Sequence, residues 1–492
     1  MSTHTDIAVC GGGISGLYTA YQLKKRQPEL QVSVYEATGR FGGKIQTVPM
    51  LGGAFHAEYG GVRVEPDLQT TVDAFVRELG LPVREITSHE AGSTGLRPAL
   101  ERLTEQEREL ATLHLDGDIA LALLVHALET IVGDQWPMAT DSLDRPGREQ
   151  DRARFCREAV FDGKPLYQQG IWNVLAEVLS YEAVEFCREK GTFYNIKNQN
   201  QNAAEWIAQL LDMLLLEQPS YLPVGGMEAL PRHVVEVLRT MGVHLHTGHR
   251  LITLTETADG ERLTLGLRRA DGETVEVTAG RVVLALPQQP LRRLASQLPG
   301  QVTRCLDAVL PFHMTWACCV VEDPWWDADT LPANGERTPV RAVHFEVSPD
   351  ARHGMAMFYC DEPWITYWRN LVEDGSGELL FEQTEPLTNT GARLRRELER
   401  ALRTTFDRTG TPRIVEWGIR DWSLPPYGGG AHLWQPGVDT EGVMHTLEAF
   451  SLGSGKTNVH ICGEAYSTCQ GFMEGALRSA ERVLAAIDRD GK

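Results

Sequence analysis

The chain has 492 residues, with 47 Lys and Arg against 67 Asp and Glu, a formal net charge of −20. Its length is several times an ordinary domain, so two or three domains are expected, and its negative balance disfavours a nucleic-acid partner. The 47 Gly and 25 Pro are spread along the whole length, which argues against a disordered or fibrous polymer. Nine cysteines without a CxxC pair, and no His cluster at ligand spacing, suggest neither a zinc site nor a disulfide framework. They are expected as small buried residues in a reducing compartment, which makes the cytoplasm the expected location. Met1 to Asp6 is polar, and no stretch approaches the ~20 apolar residues of a membrane span, so neither a leader nor a membrane anchor is expected.

Ile7-Ala8-Val9-Cys10 reads as a short buried strand, followed at once by Gly11-Gly12-Gly13-Ile14-Ser15-Gly16 and a helical run from Leu17 to Lys25. Strand, glycine turn and helix form the context in which G-x-G-x-x-G binds a dinucleotide. Gly11 permits the turn, Gly13 lets the backbone approach a pyrophosphate, and Gly16 lets helix and strand pack closely. The unpaired N–H groups at the start of the helix, near Ile14 and Ser15, attract the anion. A second strand, Gln31 to Tyr35, ends in Glu36, about 20 residues past Gly16, where a ribose hydroxyl acceptor belongs.

The stretch Glu36-Ala37-Thr38-Gly39-Arg40-Phe41-Gly42-Gly43-Lys44 continues that site. Gly42 and Gly43 supply backbone, and Arg40 and Lys44 positive charge, near a phosphate. It resembles the E-x-x-x-R-x-G-G-[RK] segment of the flavin amine oxidase superfamily, which binds FAD. Lys44 stands where arginine is more usual, leaving one donor fewer.

From about Asp67 to Leu216 apolar residues recur at three- and four-residue steps, as in Leu68, Val72, Phe75, Val76 and Leu79, and the pattern predicts packed helices. The polar run Asn195 to Asn202 reads as a loop between them. A loop at Pro223 to Met227, a helix to about Met241, and strands to Leu286 resemble the returning second portion of the family's FAD domain. Leu251 sits there on the strand that passes under the adenine. Residues from about Pro290 to Pro412 alternate strand-like runs with loops before a long helix, Thr390 to Thr405.

Near the carboxy end, the strand-like Val459 to Cys462 leads into Gly463-Glu464, then Gln470-Gly471-Phe472-Met473-Glu474-Gly475-Ala476 and a helix. This is a second glycine turn before a helix N-terminus, suited to an anion or a polarised ring. It is similar to the family's G-E…G-[WYF]-[MI]-x-G-A motif. The resemblance implies that Glu464 holds a ribityl or phosphate oxygen, and that the helix starting near Met473 and Ala476 aims its N–H groups at the flavin. Upstream, Trp422 to His432 is similar to the family's W-x-x-x-P-Y-x-G-G stretch. Ala431 falls where monoamine oxidases carry a flavin-bonded cysteine, so the resemblance implies non-covalent FAD. Phe472 and His432 fall at the family's aromatic cage, with Trp434 as a further candidate for the pocket wall.

The segment Glu58-Tyr59-Gly60-Gly61-Val62-Arg63-Val64 bears on substrate. Gly60, Gly61 and Val62 allow close backbone approach to the flavin, and Arg63 follows directly. In L-amino-acid oxidases the similar G-x-M-R segment grips the substrate α-carboxylate with its arginine; the plainer alternative pairs Arg63 with Glu65 or Asp67. Tyr359 or a neighbour is a further candidate for that carboxylate. The strand before Pro324-Trp325-Trp326 carries no lysine, Trp316 standing near where the family holds a water beside the flavin, so an acceptor other than oxygen stays open.

The sequence thus predicts an α/β protein. A Rossmann-like FAD domain of the glutathione-reductase type, built from 1–66, 221–290 and 413–492, carries a helical insertion at 67–220 and a mixed-sheet substrate domain at 291–412. The resemblance implies FAD-dependent oxidative deamination of L-amino acids with oxygen as partner, giving a 2-oxo acid, ammonia and hydrogen peroxide, in a homodimer by analogy. An amine or polyamine oxidase, an amino-acid dehydrogenase with another acceptor, a flavin isomerase or desaturase, and a protein that merely retains FAD are the alternatives.

Overall fold

The computed structural model describes residues 3–86, 102–113, 119–136, 145–191, 199–214, 219–330, 333–334, 338–372, 383–453 and 455–490. The predicted first strand is Thr3–Cys10, whose Ile7 to Cys10 are almost wholly buried. It is apolar on both faces because it lies inside a parallel stack, between Val32–Tyr35 and Thr274–Leu284. The full sheet runs His249–Glu256, Leu263–Arg269, Thr274–Leu284, Thr3–Cys10, Val32–Tyr35, His244–His246. Val459–Ile461 joins it in parallel beside Val282 to Leu284. Strands from three stretches far apart in the chain thus share one sheet.

Helices Ile14–Arg26, Ala229–Thr240 and Met473–Asp490 cover one face through Leu17, Leu23, Val234, Leu238, Leu477 and Leu484. The other face packs Ala8, Cys10, Val282 and Leu284 against Leu291, Leu306, Met444 and Leu447.

A second sheet has the order Ala333–Asn334, Ala342–Val347, His353–Cys360, Thr315–Glu322, Arg413–Asp421, Leu387–Thr388. Its pairings are antiparallel throughout, and the mixed sheet is the first one. Arg413–Asp421 was expected in the nucleotide domain; its alternating residues instead pair with Thr315–Glu322. Alternation splits this sheet's residues between two cores. Ala317, Cys319 and Val321 meet Leu394, Leu398 and Leu402 of helix Ala392–Thr405, whereas Trp316, Cys318 and Val320 point the other way with Met355, Met357 and Tyr359.

Helices Ile119–Val132, Arg145–Glu158, Ile171–Ala176, Tyr181–Lys190 and Ala203–Leu214 share a separate core, as the apolar periodicity predicts. Residues 195–198 of the predicted polar loop lie outside the described residues; beyond them Asn202 donates its N–H to Trp434 O at 2.9 Å. All nine cysteines are unpaired, and only Cys305 is not fully buried.

Candidate active site

The two sheets meet along one elongated cavity enclosing about 1950 Å³, its mouth included. At one end the wall is chiefly backbone. Gly11 has φ +114°, and a Cβ there would lie 2.2 Å from Ala285 O, so only glycine makes the turn out of Cys10. At Gly13 a Cβ would meet nothing closer than 3.8 Å, so its missing side chain leaves room on the cavity itself. Gly16 is not on the wall; it packs against Gly11 O, the close helix–strand approach expected of it.

Gly42 N donates to Gly12 O at 2.8 Å, which lays the second glycine pair beside the first. Glu36 is held in the wall by three donors: Gly12 N at 2.8 Å on one oxygen, and Thr38 N and Oγ1, both at 2.8 Å, on the other. Ile14, Ser15, Ala37, Gly42, Gly43, Lys44, Gly60, Gly61, Val62 and Leu251 all line the same space, as do Gly463 and Gly471 in the preceding loop and Met473 and Ala476 at the start of the last helix.

The other end is built from side chains. Met314 and Trp316 come from one strand region and Tyr359 from the next strand; Trp422, Tyr427, Ala431 and Phe472 come from the carboxy-terminal third. The Trp316 and Tyr359 rings meet edge to face at 3.9 Å, and the Tyr359 hydroxyl donates to Met314 Sδ at 3.6 Å. The Trp316 indole N–H is buried and has no protein acceptor among the described residues.

Arg63 and Glu65 both line the cavity, and Arg63 Nε donates to Glu65 Oε1. The ion-pair alternative is therefore what forms, and it forms within the cavity wall. The i, i+2 spacing in extended chain puts both side chains on one side of the backbone.

Three expectations need correction. Arg40 is not on the cavity: its guanidinium donates to the carbonyls of Phe41, Gly43 and Ile45, at 3.3 Å and 3.0 Å for the first and last, and so shapes the loop that presents Gly42 and Gly43. His432 is wholly buried behind the wall, because Ala431 takes the cavity side of the strand Ala431–Trp434 and the next residue must point away. Trp434 points the same way as His432 and donates its indole N–H to Ser467 O at 3.0 Å.

Glu464 is in the wall, yet its oxygens are already engaged. It accepts from Lys44 Nζ at 2.9 Å, His432 N at 2.8 Å, His432 Nδ1 at 3.1 Å and Gly471 N at 2.9 Å. Burial works to raise its pKa, but Lys44 and His432 together hold it well below the usual carboxylate range. Burial holds His432 below its ordinary value against the pull of Glu464. Lys44 and Glu464 thus form a brace across the site.

Sequence reading missed several wall residues. Leu286, Pro287, Pro290 and Arg293 are contributed by a turn and short helix without any motif, and His249 and Arg250 flank Leu251. It also missed Glu474, which accepts from the backbone N–H groups of Thr71 and Val72 and fastens helix Thr70–Glu78 to the last helix. Among the described residues no group of three metal-ligating side chains is present, and no helix is long and apolar enough to cross a membrane.

The family model for flavin-containing amine oxidoreductase matches residues 14–487. Among curated relatives, achacin of Lissachatina fulica is 25% identical across 98% of this chain and 93% of its own length. The L-amino-acid oxidase of Bothrops atrox is 20% identical across 98% of this chain and 88% of its own. A solved structure of putrescine oxidase, wild type bound to putrescine, superposes with a TM-score of 0.66 at 18% identity, covering 99% of this chain and 100% of that one. That likeness is one of fold.

Proposed function

Because the chain belongs to the flavin-containing amine oxidoreductase family and binds FAD, we propose that it oxidises L-amino acids to 2-oxo acids. The observation that carries this reading is Arg63, which stands on the cavity wall directly after Gly60 and Gly61. Support comes from relatives named L-amino-acid oxidase that align over nearly the whole chain.

The residues fit FAD. The glycine cradle at Gly13 and Gly61 is open where a Cβ would otherwise intrude, and Glu36 is fixed beside it. Ala431 stands on the wall where the resemblance places a flavin-bonded cysteine and offers no nucleophile, which supports a cofactor held without a covalent bond there. Bound there, FAD would supply the acceptor for a hydride, that is, for one proton and two electrons.

This chain's own residues do the rest. Arg63 binds the substrate carboxylate, and a guanidinium matches that group with two parallel donors. Glu65, paired to Arg63, offers negative charge to the substrate's ammonium, so the pair reads a zwitterion. Met314, Trp316, Tyr359 and Phe472 exclude water and orient the substrate side chain. Among the described residues the wall at Trp316 carries no lysine, and the one lysine on the cavity, Lys44, is bonded to Glu464.

A second reading, an amine oxidase, is favoured by Glu65 alone, since an acid on the wall suits a cationic substrate. A panel of twenty L-amino acids and simple diamines separates the two, read by flavin bleaching without oxygen and by peroxide with it. Arg63→Ala should cost about a thousandfold in kcat/KM on amino acids, the loss expected for a desolvated charge pair, while leaving any diamine turnover intact. Bleaching by diamines and by no amino acid overturns the proposal. Bleaching without peroxide assigns another acceptor.

A further inference from the structure

Arg420 is the most unusual charge in the molecule. It lies on Arg413–Asp421, directly opposite Trp316 on the neighbouring strand, so both side chains leave the cavity-facing side of the second sheet. It is completely buried, and none of its three guanidinium nitrogens has a hydrogen-bond partner among the described residues. Its guanidinium carbon instead sits 4.1 Å from the centroid of the Trp422 ring and 5.1 Å from that of Tyr427. Both rings line the cavity, and the Tyr427 hydroxyl, with no closer hydrogen-bond partner among the described residues, favours the charged guanidinium. Burial pushes the Arg420 pKa down, to about 10, which leaves it charged at neutral pH. Of the other groups acting on it, Tyr427 favours the charged form most, Arg40 repels it, and Glu385, whose side chain is 55% exposed, is well screened.

A bare cation behind two aromatic rings costs desolvation energy, and ring faces repay only part of it. Its field reaches into the adjoining low-dielectric cavity. There FAD, on taking two electrons and one proton from a reductant, carries one additional negative charge. We propose that Arg420 is the buried counter-charge of this cavity: acting through Trp422 and Tyr427, it favours the reduced, negatively charged state of the cofactor and raises its potential. Arg420 is not on the cavity wall itself, so it is a positioning residue for charge. The inference rests on FAD binding and is independent of which amine is oxidised.

The test uses the purified FAD-loaded protein and its Arg420→Lys and Arg420→Met variants. Sulfite adds to the oxidised flavin ring and leaves it negatively charged, so its affinity, read as loss of the visible flavin band, reports the same field. The midpoint potential is measured alongside by dye-coupled reduction. A unit charge ~10 Å away at an effective dielectric constant of ~20 shifts such an equilibrium by roughly tenfold. Arg420→Met should therefore weaken sulfite binding about tenfold and lower the potential, while Arg420→Lys stays within about twofold of wild type. An unchanged sulfite Kd in FAD-loaded Arg420→Met overturns the proposal, and so do equal shifts in both variants, which would mark a packing role. If Arg420→Met does not retain FAD, Arg420→Lys is followed from neutral to about pH 10 against wild type. Sulfite affinity should then fall at lower pH in the variant than in wild type, because a buried lysine loses its proton before Arg420 does; parallel profiles overturn the proposal.

Discussion

The two ends of the cavity are made in opposite ways. The nucleotide end is mostly main chain: Gly13 and Gly61 leave space, Gly11, Gly42, Gly43 and Gly60 let backbone pack closely around them, and Glu36 is held by neighbours in the same loop system. The substrate end is mostly side chain, with Met314, Trp316, Tyr359, Trp422, Tyr427 and Phe472 arriving from separate segments. A phosphate or ribose can be read by backbone N–H groups that any residue carries, provided the chain can come close. An amine or amino acid must be read by shape and charge, which only particular side chains supply. The first end therefore tolerates no added atoms, whereas the second tolerates exchange and sets specificity.

Substitutions at the two ends should separate cleanly. The largest effect is expected at Gly13. Gly13→Ala puts a Cβ into the cavity with no protein atom closer than 3.8 Å, so FAD affinity should drop at least about a hundredfold while the Tm of the apoprotein stays within a few degrees. Flavin-to-protein absorbance and circular dichroism check both halves, and retained FAD would break the contrast.

Glu464→Gln strikes the brace between the ends. It strands Lys44 and should cost about 3–5 kcal/mol in urea unfolding. Because the native Glu464 pKa lies below its unfolded value, its contribution is complete above the ordinary carboxylate range and declines as pH falls through it. The gap between wild type and Glu464→Gln should accordingly narrow in acid.

Glu58 carries the opposite sign. Its side chain is buried, accepting from Thr47 Oγ1 at 2.7 Å and Met227 N at 3.0 Å, and burial pushes its pKa up from 4.5 to about 8. A raised native pKa means stability is greatest below 4.5 and is lost as pH rises toward 8, by up to about 1.4 kcal/mol per unit. Glu58→Gln should flatten that slope in denaturant melts taken across the window.

The smallest effect is expected at Trp316. Trp316→Phe removes an indole N–H that no group among the described residues accepts, so FAD retention should be unchanged while substrate KM shifts about three- to tenfold. An equal loss of cofactor would blur the distinction between the ends.

The nucleotide end was legible because its determinants are contiguous. Strand, glycine turn, helix and acid follow one another within a single unit, and local φ/ψ demands appear as glycines. The paired glycines before Arg63 and the Gly463 to Ala476 stretch were legible on the same grounds. The substrate end was legible only in part. Reading positions 431, 432 and 434 as a common wall ignored strand alternation, which sends Ala431 to the cavity and His432 and Trp434 behind it. Arg40 was assigned to phosphate because charge near glycines suggests it, while its nearest acceptors were the carbonyls of its own loop. Arg420 escaped notice because a lone arginine in a strand carries no pattern, and its meaning depends on which rings fold over it.

The order of strands in the first sheet bears on how the chain becomes an enzyme during synthesis. Thr274–Leu284 separates Thr3–Cys10 from Val459–Ile461, and Lys44 finds Glu464 only when residues made much later arrive. Contacts so distant along the chain close slowly, since ordering of the intervening loop precedes their reward. The leading glycine turn must therefore leave the ribosome well before its partners do. A nascent chain lacking the last helix would hold the flavin weakly, which makes cofactor capture a late event in maturation, close to release of the finished polypeptide.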